Sequence, residues 1–154
     1  MNLKLILLFL SIALIFSCKE EEMDMQPSKQ ELGKYQLEVK GNTYDLINII
    51  ELKIGGNVIG AGIVKNPGGS EDLGYNYYFT GKYTMNDDVI SIFQESYFQT
   101  ASPSKLFDAR ELLVLVQAGS ESFDFAIKSN YTELHLICSS GNLCLDNPIY
   151  KKVD

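Results

Sequence analysis

From Leu32 onward, short runs rich in Tyr, Val, Ile and Leu alternate with turn-forming clusters, a rhythm that predicts a β-meander. Tyr35 to Lys40 stops at Gly41-Asn42, Tyr44 to Lys53 stops at Gly55-Gly56-Asn57, and Val58 to Val64 runs into Lys65-Asn66-Pro67-Gly68-Gly69. Tyr75 to Met85 and Val89 to Phe93 flank Asn86-Asp87-Asp88. Phe123 to Ile127 and Thr132 to Cys138 flank Lys128-Ser129-Asn130-Tyr131, and Ile149 to Val153 follows Asp146-Asn147-Pro148. Gly, Asn, Asp and Pro are the residues that tight turns demand. About eight strands spaced so evenly predict a mainly β fold, a single small antiparallel β-barrel or a strongly curled meander, because closure removes exposed edges.

The segment 108–118 fits two templates. Asp108-Ala109-Arg110-Glu111 resembles a helix start, whereas Leu113-Val114-Leu115-Val116 suits a strand equally well. A short helix is the favoured expectation: Leu112, Leu115 and Val116 then share one face, and Gly119 serves as the C-cap.

Ahead of this β region, Lys4 precedes an apolar run from Leu5 to Phe16, broken only by Ser11 and ending at Ser17-Cys18. As a helix the run covers roughly 18 Å, well short of the hydrocarbon core of about 30 Å, so it reads as a signal and not as a spanning anchor. Ile15-Phe16-Ser17-Cys18 resembles the lipobox of bacterial lipoproteins. The resemblance implies removal of residues 1–17 as a lipoprotein signal peptide and acylation of Cys18 with palmitate-like chains. It thereby implies attachment to a membrane through an N-terminal lipid anchor, each buried acyl CH₂ contributing about 0.8 kcal/mol. Lys19-Glu20-Glu21-Glu22 resembles the surface-export tag of Bacteroidota lipoproteins, which implies an outer-membrane protein facing the cell surface. The plainer reading of the same residues is a solvated tether, because charge runs cannot bury apolar surface. Residues 18–31 are therefore read as an acidic flexible tether and residues 32–154 as one β domain.

Charge narrows the partners. The net charge is −7, and residues 1–17 hold one lysine and no acid, so their removal makes the chain more acidic still. Such a field argues against nucleic acid and keeps the domain soluble. Cys138 and Cys144 bracket the turn-like Ser139-Ser140-Gly141-Asn142-Leu143 between two strand-like runs. With Cys18 acylated, these two thiols remain in an oxidising compartment and are expected to form a hairpin disulfide.

Chemistry-bearing motifs are sparse. His135 is the single histidine. Alternation places it opposite Leu134 and Leu136, beside Glu133 on an outer face, with no nucleophile in a recognisable elbow. Asn86-Asp87-Asp88 lacks the spaced ligands of a calcium loop, and the paired glycines lack the Lys-Ser/Thr of a phosphate loop. The reading is therefore no catalytic residue, no metal and no cofactor, hence no enzyme. The aromatic cluster around Tyr75, Tyr77, Tyr78, Phe79, Tyr83, Phe93, Tyr97 and Phe98 is the remaining functional candidate. Core packing explains it most simply. Tyr75, Tyr77 and Tyr83 share one parity, so they would line a barrel mouth for a small ligand or form an outer stripe for a glycan or an envelope protein.

Two family resemblances accompany this pattern. Gly74-Tyr75-Asn76-Tyr77-Tyr78-Phe79-Thr80-Gly81-Lys82-Tyr83 resembles the central motif of META domains, small barrels of heat-shock and surface lipoproteins. Gly33-Lys34-Tyr35 and the closing Tyr150-Lys151-Lys152-Val153 resemble short lipocalin-like domains. Both imply a small meandering β-barrel. The functions they suggest are a non-catalytic binding or interaction module and, as the alternative, a structural or stress-related envelope protein with a filled barrel.

Overall fold

A computed structural model describes residues 31–138 and 147–153 of the chain. It is a closed antiparallel barrel in simple sequence order: β1 Gly33–Val39, β2 Asp45–Lys53, β3 Asn57–Lys65, β4 Asp72–Asn86, β5 Val89–Gln99, β6 Val114–Lys128, β7 Glu133–Ile137 and β8 Ile149–Lys152. Every strand pairs with its neighbour in the chain, and the ring closes where Tyr35 meets Lys152 and Gln36 meets Lys151. Closure gives each strand a neighbour on both sides, as the even spacing of turns predicts.

The segment 108–118 is not a helix. A single 3-10 turn, Arg110–Leu112, precedes β6, which starts at Val114 and runs without a break into the strand anticipated at Phe123 to Ile127. The side chains assigned to a buried helical face are exposed instead: Leu112 57 %, Leu115 54 % and Val116 52 %. Gly119, expected as a C-cap, takes φ +72° inside β6, where the pairing shifts between Gln94–Glu121 and Ser96–Ala118. Its left-handed backbone serves a bulge, not a helix end.

Turn positions fix the polarity of the barrel. The β2–β3, β4–β5 and β6–β7 turns lie at one end together with the start of β1 and the end of β8. That end is plugged. Tyr35, fully buried, packs with Leu52, Val58, Tyr83, Ile90, Ile127 and Leu134. The Tyr35 hydroxyl shares its proton between the carbonyls of Glu31 and Tyr131, at 3.1 and 3.0 Å, and the Tyr83 hydroxyl donates to the Lys53 carbonyl at 3.2 Å. The longer β1–β2, β3–β4 and β5–β6 connections gather at the opposite end.

Burial, reinforced by the Glu31 charge, pushes both the Tyr35 and the Tyr83 hydroxyl up to about 12 from 10.0. A folded-state value above the unfolded one means that the fold favours the neutral phenol. The stability this contributes is complete below pH 10.0 and is lost as pH rises through the folded value near 12. In an alkaline titration the Tyr35 phenolate absorbance, identified by its absence in Tyr35→Phe, should therefore grow in towards pH 12, and resistance to denaturant should fall across the same window above pH 10.0. Tyr35 absorbance that titrates at 10.0 in the folded protein, with stability unchanged above that pH, would contradict this.

Candidate functional site

Side-chain parity decides what each strand shows to the barrel interior. On β3 the inward positions include Gly60 and Gly62, which oppose Phe79 and Tyr77 on β4. A Cβ at Gly60 would lie 1.8 Å from Phe79 Cε1, and one at Gly62 would lie 2.5 Å from Tyr77 Cε1. Two glycines thus create the floor on which two aromatic rings lie flat.

Those rings face a cavity of about 290 Å³ in the half of the lumen away from the plug. Ile50, Tyr77, Phe79, Ile92, Gln94, Tyr97, Glu121, Phe123, Phe125, Leu136 and Tyr150 line it. Tyr77 and Tyr97 stack at a centroid distance of 6.0 Å, and Phe125 meets Tyr150 edge-on at 5.7 Å. The Tyr77 hydroxyl donates to Asn48 Oδ1 at 2.9 Å. Burial pushes the hydroxyls of Tyr77, Tyr97 and Tyr150 up, so they are protonated donors at neutral pH; at Tyr97 the Glu121 charge adds to the effect. Gln94 is 6 % exposed, and among the described residues its side-chain amide makes no hydrogen bond.

The three tyrosines singled out from the sequence separate in space. Tyr77 lines the lumen. Tyr83 belongs to the plug at the closed end. Tyr75 points outward, because the β3–β4 register shifts between Gly62–Tyr77 and Ile63–Tyr75, leaving Asn76 with no paired residue on β3 and reversing the parity. With Tyr78 it lines a second cavity, of about 550 Å³, on the outer surface of β2 and β3 among Ile49, Ile59, Ala61 and Ile63. The β5–β6 connection reaches this face: Asp108 and Tyr75 exchange backbone hydrogen bonds of 2.7 and 3.0 Å, and the Arg110 guanidinium lies 5.5 Å from the Tyr78 ring centre.

The loop leading from Lys65 towards Leu73 is tied down. The buried Asp45 carboxylate accepts from the backbone N–H groups of Gly68 and Gly41 at 3.0 and 3.2 Å and pairs with Lys40 at 3.2 Å. The Gly68 hydrogen bond leads in holding its carboxyl below the usual carboxylate range. One side chain thereby joins the β1–β2 and β3–β4 loops at the open end.

His135 stands on the outer face of β7, with Nε2 2.9 Å from Glu133 Oε2. The Ser129 hydroxyl donates to the same carboxylate oxygen at 3.1 Å. Serine and histidine both bind the carboxylate and not one another, so the imidazole is in no position to take the serine proton. Among the described residues no group of three His, Cys, Asp or Glu converges on a possible metal position.

Cys18, Lys19, Glu20, Glu21, Glu22 and Cys144 lie outside the described residues; Cys138 directly follows β7. Among the luminal residues that sequence reasoning missed are Gln94, Glu121, Phe123 and Tyr150. Glycines at alternate positions of an apolar strand, Val58-Ile59-Gly60-Ala61-Gly62, were the available signal, since they mark where rings from the next strand lie against the backbone. No family model matches the chain, no curated protein is significantly similar to it, and no solved structure matches it.

Proposed function

We propose that the protein is a lipid-anchored lipoprotein of the bacterial outer membrane, displayed at the cell surface, whose barrel is a non-catalytic module that binds a small ligand in its lumen. The observation that carries the binding reading is the aromatic cavity of about 290 Å³, which the filled-barrel, structural alternative does not require. Its size is at the lower end of ligand pockets, and its lining combines aromatic walls with a few convergent polar groups. The META-like and lipocalin-like resemblances agree with a meandering barrel. They add nothing about the ligand.

Polarity of the barrel supports the anchored arrangement. β1 begins at the plugged end, so a chain arriving from an acylated Cys18 through the acidic tether would hold that end towards the membrane. The open end would then face outward. The pair Cys138–Cys144 belongs to the same proposal as a disulfide closing the β7–β8 connection at that outer end, worth roughly 2 kcal/mol in the chain-entropy model.

The test uses the full chain made in a bacterial host that processes lipoproteins and extracted from its membranes in mild detergent. Native mass spectrometry should find a small-molecule adduct on the wild type that is lost in Leu136→Trp, which fills the lumen. Cys18→Ala should carry the same adduct but lack palmitate label and leave the membrane fraction. Wild-type protein of bare mass, or an adduct retained in Leu136→Trp, would contradict the luminal site. Palmitate retained in Cys18→Ala would contradict the anchor.

A further inference from the structure

We propose that the lumen selects a small organic cation, an aromatic or short-chain ammonium, whose charge lies against Glu121 and the tyrosine rings. This rests on the luminal binding reading above. Glu121 is the single ionised side chain lining the cavity among the described residues; no lysine, arginine or histidine does so. Glu121 is solvent-exposed at the edge of the cavity, directly opposite Gln94 on β5, and lines the same space as the stacked pair Tyr77 and Tyr97.

Aromatic faces carry negative quadrupole charge and attract a desolvated cation. The remaining walls, Phe123, Phe125 and Tyr150 among them, supply further faces and edges. A neutral apolar ligand would gain from those rings as well, but it would bury the unpartnered Gln94 amide and leave it unsatisfied. An ammonium N–H donates to the Gln94 carbonyl oxygen, and a quaternary ammonium presents its positive methyl groups to the same atom. An anion would meet Glu121 head-on, with no cation in the cavity to offset it. The volume sets the size of the ligand: at the roughly 30 Å³ that a water molecule takes in the liquid, about 290 Å³ holds about ten non-hydrogen atoms.

Three probes of nearly equal shape test this on the full chain: phenyltrimethylammonium, its neutral isostere tert-butylbenzene, and benzenesulfonate. Calorimetry reports binding in the wild type and both variants, and tyrosine emission, to which the luminal Tyr77, Tyr97 and Tyr150 contribute, is the second readout for the tryptophan-free wild type and Glu121→Gln. Phenyltrimethylammonium should bind about tenfold more tightly than tert-butylbenzene, the difference a desolvated cation–ring contact supports, and benzenesulfonate should bind weakest. Glu121→Gln should bring the cation down towards its isostere and leave tert-butylbenzene unchanged, while Leu136→Trp should abolish both. Equal affinity for cation and isostere, tighter binding of benzenesulfonate, or a cation preference that survives Glu121→Gln would overturn the charge selection and leave the luminal reading standing. If none of the three binds, or if Leu136→Trp binds all three like the wild type, the luminal reading fails and the selection with it.

Discussion

Tyr35→Ala is expected to destabilise the protein by about 3–5 kcal/mol, the usual cost of emptying a fully buried large aromatic site. Tyr35 is 0 % exposed, at the narrowest seam of the barrel, where β1 and β8 meet in two residue pairs. Its ring lies beneath the Lys152 ammonium at 5.7 Å, and its hydroxyl connects the segment before β1 to the β6–β7 turn. Removing the side chain withdraws packing and latch together. Tyr35→Phe keeps the ring and should cost about 1 kcal/mol, the net value of a hydrogen bond. Denaturant unfolding of the two variants separates the contributions, and a Tyr35→Ala midpoint no lower than that of Tyr35→Phe would show that the ring does not hold the seam.

Gly60→Ala should cost about 1–3 kcal/mol through overpacking and should also weaken luminal binding. The added Cβ would meet the Phe79 ring at 1.8 and 2.2 Å, distances that no rotamer of alanine relieves. The cavity that Phe79 lines gives the ring space into which to yield. The stability loss and the affinity loss therefore share a cause. Combining Gly60→Ala with Phe79→Leu should restore part of both, a coupling readable in a double-mutant cycle. Strict additivity of the two substitutions would contradict it.

The barrel was legible because its turns are written in residues with special backbone needs. Asp87, with φ 53°, and Gly55 and Gly56, with φ 78° and 70°, sit where the sequence demands left-handed geometry. The segment 108–118 misled for the opposite reason. Leu112, Leu115 and Val116 recur at helical spacing, yet β5 offers a long partner strand, and pairing with it outweighs local periodicity. The outward-facing apolar residues that remain carry no parity signal.

The site was legible only where parity stays regular. Tyr77 and Phe79 alternate as expected and reach the lumen together. Tyr75 does not, because the bulge at Asn76 intervenes, and an extra residue at Glu95 likewise returns Tyr97 to the interior after the even-numbered Ile90, Ile92 and Gln94. A bulge shifts every later side chain to the other face, and nothing in a single alternating run shows where one falls. Glu121 and Tyr150 join the cavity through pairing with the preceding strand, Glu121 opposite Gln94 and Tyr150 opposite Leu134, a register that periodicity within one strand does not encode.

Benzene titrated into the labelled full chain, followed by amide correlation NMR, tests most directly whether the lumen is open. An open lumen predicts saturable shifts clustered at Tyr77, Gln94, Phe123 and Leu136, absent in Leu136→Trp. Shifts confined to Ile59, Ile63 and Tyr78 on the outer face, or none at all, would contradict the account and leave a filled barrel.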